Sequence, residues 1–246
     1  MKRLLPGSLV RLIYKGRRFI SPAAILDRRL IAYRFIRGEG IEIGALHLPL
    51  EVPRSARVKY VDRLSVADLR KQYPELSSLP LLEPDIIDDG TRLDTVADGS
   101  QDFVIANHFI EHAPDPLGAL SNMLRVLRKD GVLFLAIPDK RFSFDVDRPV
   151  TSLEHLIKDH AEGPEWSRRD HYKEWVQFVD KLEGADAEKQ LAALLESDYS
   201  IHFHVWSPIE MFEMITLLKK EMGLQFDIAL FYQHFDECIF ILRKAA

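Results

Sequence analysis

The feature that most limits what this chain can become is an alternation of two periodicities along its length. Short apolar, β-branched runs stand at "IEIGA" (41–45), "RVKYVD" (57–62), "DIID" (85–88), "DFVIAN" (102–107) and "VLFLAIP" (132–138). Two more come late, "FDIALFY" (226–232) and "CIFILRK" (238–244). Between several of them the apolar residues recur at helical spacing instead. "SVADLRKQY" (65–73) opens with a Ser cap. In "PLGALSNMLRVLRKDG" (116–131) Leu117, Leu120, Leu124 and Leu127 share a face, cations fill the last turn and Gly131 reads as a stop. "SPIEMFEMITLLKKEMG" (207–223) repeats that design with Ser207, Pro208 and Gly223. Strand–helix–strand succession demands parallel pairing through right-handed crossovers, hence an α/β fold with a doubly wound sheet and helices on both faces. The last two runs are separated by "QHFDE" alone, too short for a crossover, so they predict an antiparallel hairpin. The expectation is a mostly parallel, seven-stranded sheet with an antiparallel last strand.

The pattern breaks once. Residues 139–206 are rich in His, Trp, Arg and Asp, with helical candidates near 151–161, 167–182 and 186–196. They read as a helical insertion after strand five, a cap on the substrate side of one domain spanning 39–246. Residues 1–38 read as a basic helical arm, because ten lysines and arginines there face the single acid Asp27 and the rest of the chain carries the whole acidic excess. Such an arm suits an anionic membrane surface, an acidic partner or a phosphorylated substrate, or it packs on its own acidic body. No aromatic-and-basic motif accompanies the charge, so nucleic acid is not expected as a partner. The single cysteine, Cys238, excludes an intrachain disulfide and fits a reducing, cytoplasmic setting. Apolar runs such as "GVLFLAIP" fall far short of the ~20 residues needed to span a bilayer. The basic start lacks the apolar stretch and cleavage site of a secretory signal.

In an open parallel sheet, ligands bind beyond the carboxyl ends of the strands. Strand one ends at Glu42 and Gly44, strand two at Asp62, strand three at Asp88 and Asp89, strand four at Asn107 and His108, and strand five at Asp139. Three successive strands ending in acids suit ribose hydroxyls, an amine and a cofactor with a positive charge rather than a pyrophosphate.

These residues, with "LDTVADGSQDFVIANHFIEHAPDPLGALSNMLRVLRKDGVLFLAIPD" (93–139) and "HVWSPIEMFEMITLLKKEMGLQF" (204–226), resemble the class I S-adenosylmethionine-dependent methyltransferases, specifically their type 11 branch. The resemblance covers roughly residues 40–139 and 202–244. It implies a Rossmann-like methyltransferase fold with S-adenosyl-L-methionine as cofactor. Glu42 matches the acid of the glycine loop and Gly44 its first glycine. Asp62 matches the acid on the ribose hydroxyls, Asp89 or its neighbour Asp88 the acid near adenine, and Asn107 and His108 the position beside the methionine portion. The loop departs from the family pattern at Leu46 and Leu48, which replace glycines.

Methyl transfer is an in-line displacement that needs an oriented acceptor and, for a hydroxyl, removal of its proton. His202 and His204 in "DYSIHFHVW" share one face if that segment is extended, which makes either a candidate base. His112 of "EH" is a third candidate. A divalent metal held by His202 and His204 with Asp139, Asp145, Asp147 or His171 is the less favoured alternative. Asp139, Lys140, Arg141 and Arg148 follow strand five, where cations would hold an anionic acceptor or simply pair with Asp139, Asp145 and Asp147. His171 and Trp175 lie four apart on a helix face and suit a sugar or ring pocket. The expected function is methylation of a small polar acceptor, with an oxygen of a phosphorylated or sugar-linked glycan precursor preferred. A non-catalytic scaffold on the same fold is the competing reading.

Overall fold

The computed structural model describes residues 26–245. Residues 1–25 of the basic arm lie outside them. Strands β1 (Gly38–Ile43), β2 (Ala56–Asp62), β3 (Ile86–Ile87), β4 (Gln101–Asn107), β5 (Leu127–Pro138), β6 (Phe226–His234) and β7 (Glu237–Lys244) form one sheet in the order β3-β2-β1-β4-β5-β7-β6. Pairings among the first five strands are parallel, and β7 is antiparallel to both of its neighbours. The antiparallel strand is therefore interior, and β6 closes the edge. The expected hairpin is there, turning through Phe235 and Asp236 with Phe235 at φ 51°.

Alternate side chains of the central strands feed two cores, as period two requires when both faces of a sheet are covered. On one face Val104, Leu133, Leu135 and Phe240 pack with Leu117, Leu120 and Leu124 of α3 (Pro116–Val126) and Met211, Met214 and Leu218 of α7 (Pro208–Lys220). On the other face Phe103, Ile105, Phe134 and Ile241 pack with Ile31, Ala32 and Ile36 in and just after α1 (Arg28–Phe35). The described part of the basic arm is thus a helix built into the core. Helix α2 is Val66–Gln72, with Ser65 accepting from the N–H of Asp68 as cap.

The helix expected over 116–131 ends at Val126. Tertiary pairing outweighs helix propensity there: Arg128 donates to Asp102 (2.8 Å) and to the Ser100 carbonyl (2.8 Å), and Leu127 joins β4 opposite Gln101. Gly131 sits instead in the irregular stretch of β5 between the Leu127 and Val132 pairings. A Cβ there would stand 2.9 Å from the Arg128 carbonyl, and Asp130 before it takes φ 64°.

The insertion after β5 contains α4 (Leu153–Glu162), α5 (Glu165–Phe178) and α6 (Gly184–Ser197). Tyr172, Val176, Leu191, Leu194, Ile201 and Phe203 give it a small core of its own, while Leu156 of α4 joins the main one. The excursion leaves and rejoins the sheet at one place, where Asp139 bridges Trp206.

Glu237, at the start of β7, ties α1 to the sheet. Arg28 donates to it through Nε (2.7 Å) and also through Nη2, while His108 Nε2 lies 2.8 Å away. Burial opposes ionisation of Glu237, but hydrogen bonds from His108, His234 and Arg28 outweigh it and hold the carboxyl below its usual range. A depressed carboxylate contributes stability that is complete above its unfolded pKa of about 4.3 and fades as pH falls toward the folded value. Glu237→Gln is expected to cost about 1–3 kcal/mol near pH 7, since Arg28 is part-exposed, and to flatten the acid limb of stability below pH ~4. Urea melts of both proteins at neutral and acid pH check this; equal acid limbs would refute it.

Candidate active site

The carboxyl ends of β1–β4 open into a cleft of about 650 Å³, a size suited to a small-molecule or cofactor site. One wall comes from the sheet and carries Gly44, Asp62 and Asp89; the other comes from the segment after β4 and from the insertion, with Phe109, His112 and His171. A second hollow of about 290 Å³ shares Gly44 and is lined by Glu42, Leu46, Asn107, His108 and Arg28. Most of the strand-end residues expected at a cofactor therefore do converge, around Gly44.

Gly44 takes φ +64°, and its N–H donates to the Val61 carbonyl at 2.9 Å, so the chain turns sharply off β1. Glu42 is buried, accepting the Leu50 N–H at 2.9 and 3.1 Å. Burial pushes its carboxyl up to about 7 against that hydrogen bond and the attraction of Arg28. Burial likewise raises Asp62, whose Oδ1 accepts from the Leu64 N–H at 3.2 Å. Asp89 shapes its own turn, accepting from the N–H and hydroxyl of Thr91 at 2.8 and 2.7 Å. Asp88 lines neither hollow. Its Oδ2 is committed to the N–H and hydroxyl of Thr95, at 2.8 and 2.6 Å. Asn107 Oδ1 is buried with no hydrogen-bond partner. His108 has φ 50°; burial opposes its protonation, but Glu237 and Glu111 raise its pKa overall.

The two leucines of the loop do not enter the large cleft. Leu48 is 73% exposed, and the turn is carried outward with the Leu46 carbonyl accepting from the Leu82 N–H at 2.8 Å. Leu46 takes φ 50°, a backbone state more comfortable for glycine, and lines only the smaller hollow.

Of the three histidines expected as bases, only His112 reaches the cleft. Its Nδ1 donates to the Ile201 carbonyl at 2.8 Å, which leaves the ring's lone pair on Nε2. Burial, then the neighbouring His202, lowers its pKa to about 3, so it is neutral at ordinary pH. His202 and His204 diverge into different clusters. His202 Nδ1 pairs with Asp145 at 2.7 Å and its ring packs edge-on against His112 at 4.7 Å. His204 is fully buried, with Nε2 3.2 Å from the Pro114 carbonyl and its ring stacked on Trp206. His171 lines the cleft; burial, then His155, lowers its pKa to about 4.

Asp139, Lys140 and Arg141, expected at the acceptor, line neither hollow. Arg141 closes on Asp139 through Nε at 3.0 Å and Nη2 at 2.6 Å, and Lys140 donates to the Val146 carbonyl at 2.9 Å. Arg148 is buried between Asp145 (2.9 Å) and Glu174 (2.7 Å) and also donates to the His202 carbonyl at 2.8 Å. The cations after β5 are spent on holding the insertion together.

Sequence reasoning missed Phe109, Arg168, Tyr199 and Ser200, which reach the cleft from three different places in the chain. Glu111, the acid of the "EH" pair, is fully buried with neither carboxylate oxygen hydrogen-bonded, and its backbone carbonyl accepts from Phe203 (2.8 Å).

Residues 70–184 match a protein-family model described as "Methyltransferase domain". The match begins inside α2 and runs into the start of α6, so it covers β3–β5 and most of the insertion but not Glu42, Gly44 or Asp62. No curated protein matches the chain. Among solved structures, a Rhodobacter sphaeroides protein provisionally described as a Zn-dependent alcohol dehydrogenase is 13% identical, with 90% of this chain and 91% of that one covered and a TM-score of 0.53. It shows a shared fold. A SAM-dependent methyltransferase from Aquifex aeolicus is also 13% identical, covering 99% and 100% of the two chains with a TM-score of 0.47. The family match gives the general methyltransferase domain, and the type 11 branch rests on the sequence resemblance alone. Residues 70–184 thus match a methyltransferase domain over β3–β5 and most of the insertion, set in a doubly wound sheet whose strand ends gather acids around one cleft.

Proposed function

We propose that S-adenosylmethionine lies across Gly44 and that the acceptor enters the part of the large cleft walled by the insertion. The observation that carries this reading is the continuity of that cleft, from Asp62 and Asp89 on the sheet to His112 and His171 on the far wall. In it Asp62 accepts from the ribose hydroxyls and Asp89 faces the adenine. Glu42, Asn107 and His108 surround the methionine portion in the adjoining hollow. The residues fit the group: Asn107 Oδ1 is a buried acceptor lacking a donor, which an ammonium would supply, and the turn at Gly44 leaves backbone open to the ligand. When bound, the cofactor supplies an electrophilic methyl group on a positively charged sulfur.

The chain's own part is to bind, orient and exclude water. His112, neutral and with its lone pair fixed on Nε2, accepts a hydrogen bond from the acceptor's hydroxyl and aligns that oxygen with the methyl carbon. A pKa near 3 makes it a positioning acceptor more than a strong base. Aromatic and polar groups on the insertion side, Phe109, Phe203 and Ser200 among them, suit a small polar acceptor. An oxygen of a sugar or glycan precursor is the preferred target, supported by that mixture of ring faces and hydroxyl partners. Lys140 and Arg141 have no part in holding it.

Asp62→Ala is expected to weaken S-adenosylmethionine binding roughly 10- to 100-fold, the worth of charge-assisted hydrogen bonds from ribose. Calorimetry checks this, and a folded wild type giving no heat would turn the reading to a non-catalytic scaffold. Because Glu42 ionises only near pH 7 in the free protein, affinity is expected to fall as pH drops below that value. Glu42→Gln should remove that dependence between pH 6 and 8; a variant retaining the wild-type slope would place the titrating group elsewhere.

A further inference from the structure

We propose that His155, Asp159, His171 and His204 form a site for one divalent transition-metal ion of the zinc type, which pins α4, α5 and the 201–206 segment to one another beside the cleft. The four residues each bring one ligand atom, and these atoms lie within 4.8 Å of one another. His155 and Asp159 are four apart on α4, so one helix face presents both; His171 comes from α5 and His204 from the chain returning to the sheet.

The two separations made by His155 suit a tetrahedron. With metal–ligand bonds of about 2.0–2.1 Å, ligand atoms around zinc stand about 3.3 Å apart. His155 Nε2 lies 3.0 Å from His171 Nε2 and 3.1 Å from Asp159 Oδ2; His204, whose Nε2 is taken by the Pro114 carbonyl, brings its unpartnered Nδ1. Three imidazoles and one carboxylate are a borderline donor set that suits zinc better than magnesium or calcium.

The protein's own hydrogen bonds do not account for the cluster. Asp159 is fully buried, yet its Oδ2 has no hydrogen-bond partner; its Oδ1 is held by the Ser167 hydroxyl at 2.9 Å, which aims Oδ2 at the three rings. His204 is fully buried too, with Nε2 on the Pro114 carbonyl and Nδ1 without a partner. One ring nitrogen fixed by a carbonyl and a carboxylate fixed by a hydroxyl are the outer supports that metal ligands use. An arrangement held only by proton sharing would leave two fully buried polar groups each with an unanswered atom.

The test uses purified full-length protein freed of metal by chelator and dialysis, then titrated with Zn²⁺ and separately with Co²⁺. Expected results are one equivalent bound, intense tetrahedral Co²⁺ absorption, and a higher thermal midpoint with Zn²⁺. Asp159→Asn and His155→Gln, the latter at a part-exposed position that spares folding, should each abolish the Co²⁺ spectrum while circular dichroism stays native. Ser167→Ala should keep the stoichiometry and weaken affinity about 10- to 100-fold. His160→Gln, on the same helix but bonded to Asp115, should bind as the wild type does. Failure of the folded wild type to bind either ion overturns the proposal, as does binding that survives both ligand variants. S-adenosylmethionine binding, measured on the same samples, is a separate readout, so either reading can fail without the other.

Discussion

Both faces of the central strands are dry, and that constraint organises the molecule. Apolar side chains alternate above and below β4 and β5, so each face must be roofed, by α3 and α7 on one side and α1 on the other. Polar groups on the central strands are thereby driven to the strand ends. Parallel pairing from β3 to β5 then sends those ends out along a single edge. The gathering of Glu42, Asp62 and Asp89 around Gly44 follows from hydrophobic burial as much as from any demand of chemistry.

The cleft is completed by groups with no such origin. The insertion contributes its far wall from helices that carry their own small core, and its cations are consumed by internal pairs: Arg148 with Asp145 and Glu174, Arg168 with Asp198, Lys181 with Asp147. From this side the cleft is lined by His171, Tyr199, Ser200 and Phe203 together with the charged Glu165, Arg168 and Asp198. The sheet side carries Asp62 and Asp89 beside Arg63 and Arg92. Among the described residues, no helix is long and apolar enough to cross a membrane.

Much of this was legible in the chain before folding. Period two and period 3.6 located the seven strands and the capped helices, and the short "QHFDE" link told the hairpin. The acids at the strand ends could be read because strand direction fixes where they emerge. The helix end at Val126 was not legible, since Arg128 leaves the helix for Asp102 across a tertiary contact. Nor was the fate of His202 and His204: two residues apart, they enter separate clusters because Asp145 draws one and the Pro114 carbonyl the other. The tie between Arg28 and Glu237 joins residues 209 positions apart, beyond the reach of any local pattern. His155 and Asp159, four apart on one helix, were a visible signal that gains meaning only when α5 and the returning chain bring His171 and His204 against them.

The bridge between Asp139 and Trp206 has an evolutionary reading. An excursion whose entrance and exit coincide behaves thermodynamically like a bead on a clasp: lengthening or replacing its interior adds only a slowly growing closure entropy to the parent fold. Much of this segment can therefore change in length or sequence with little cost to the sheet, provided Leu156 keeps its place in the main core.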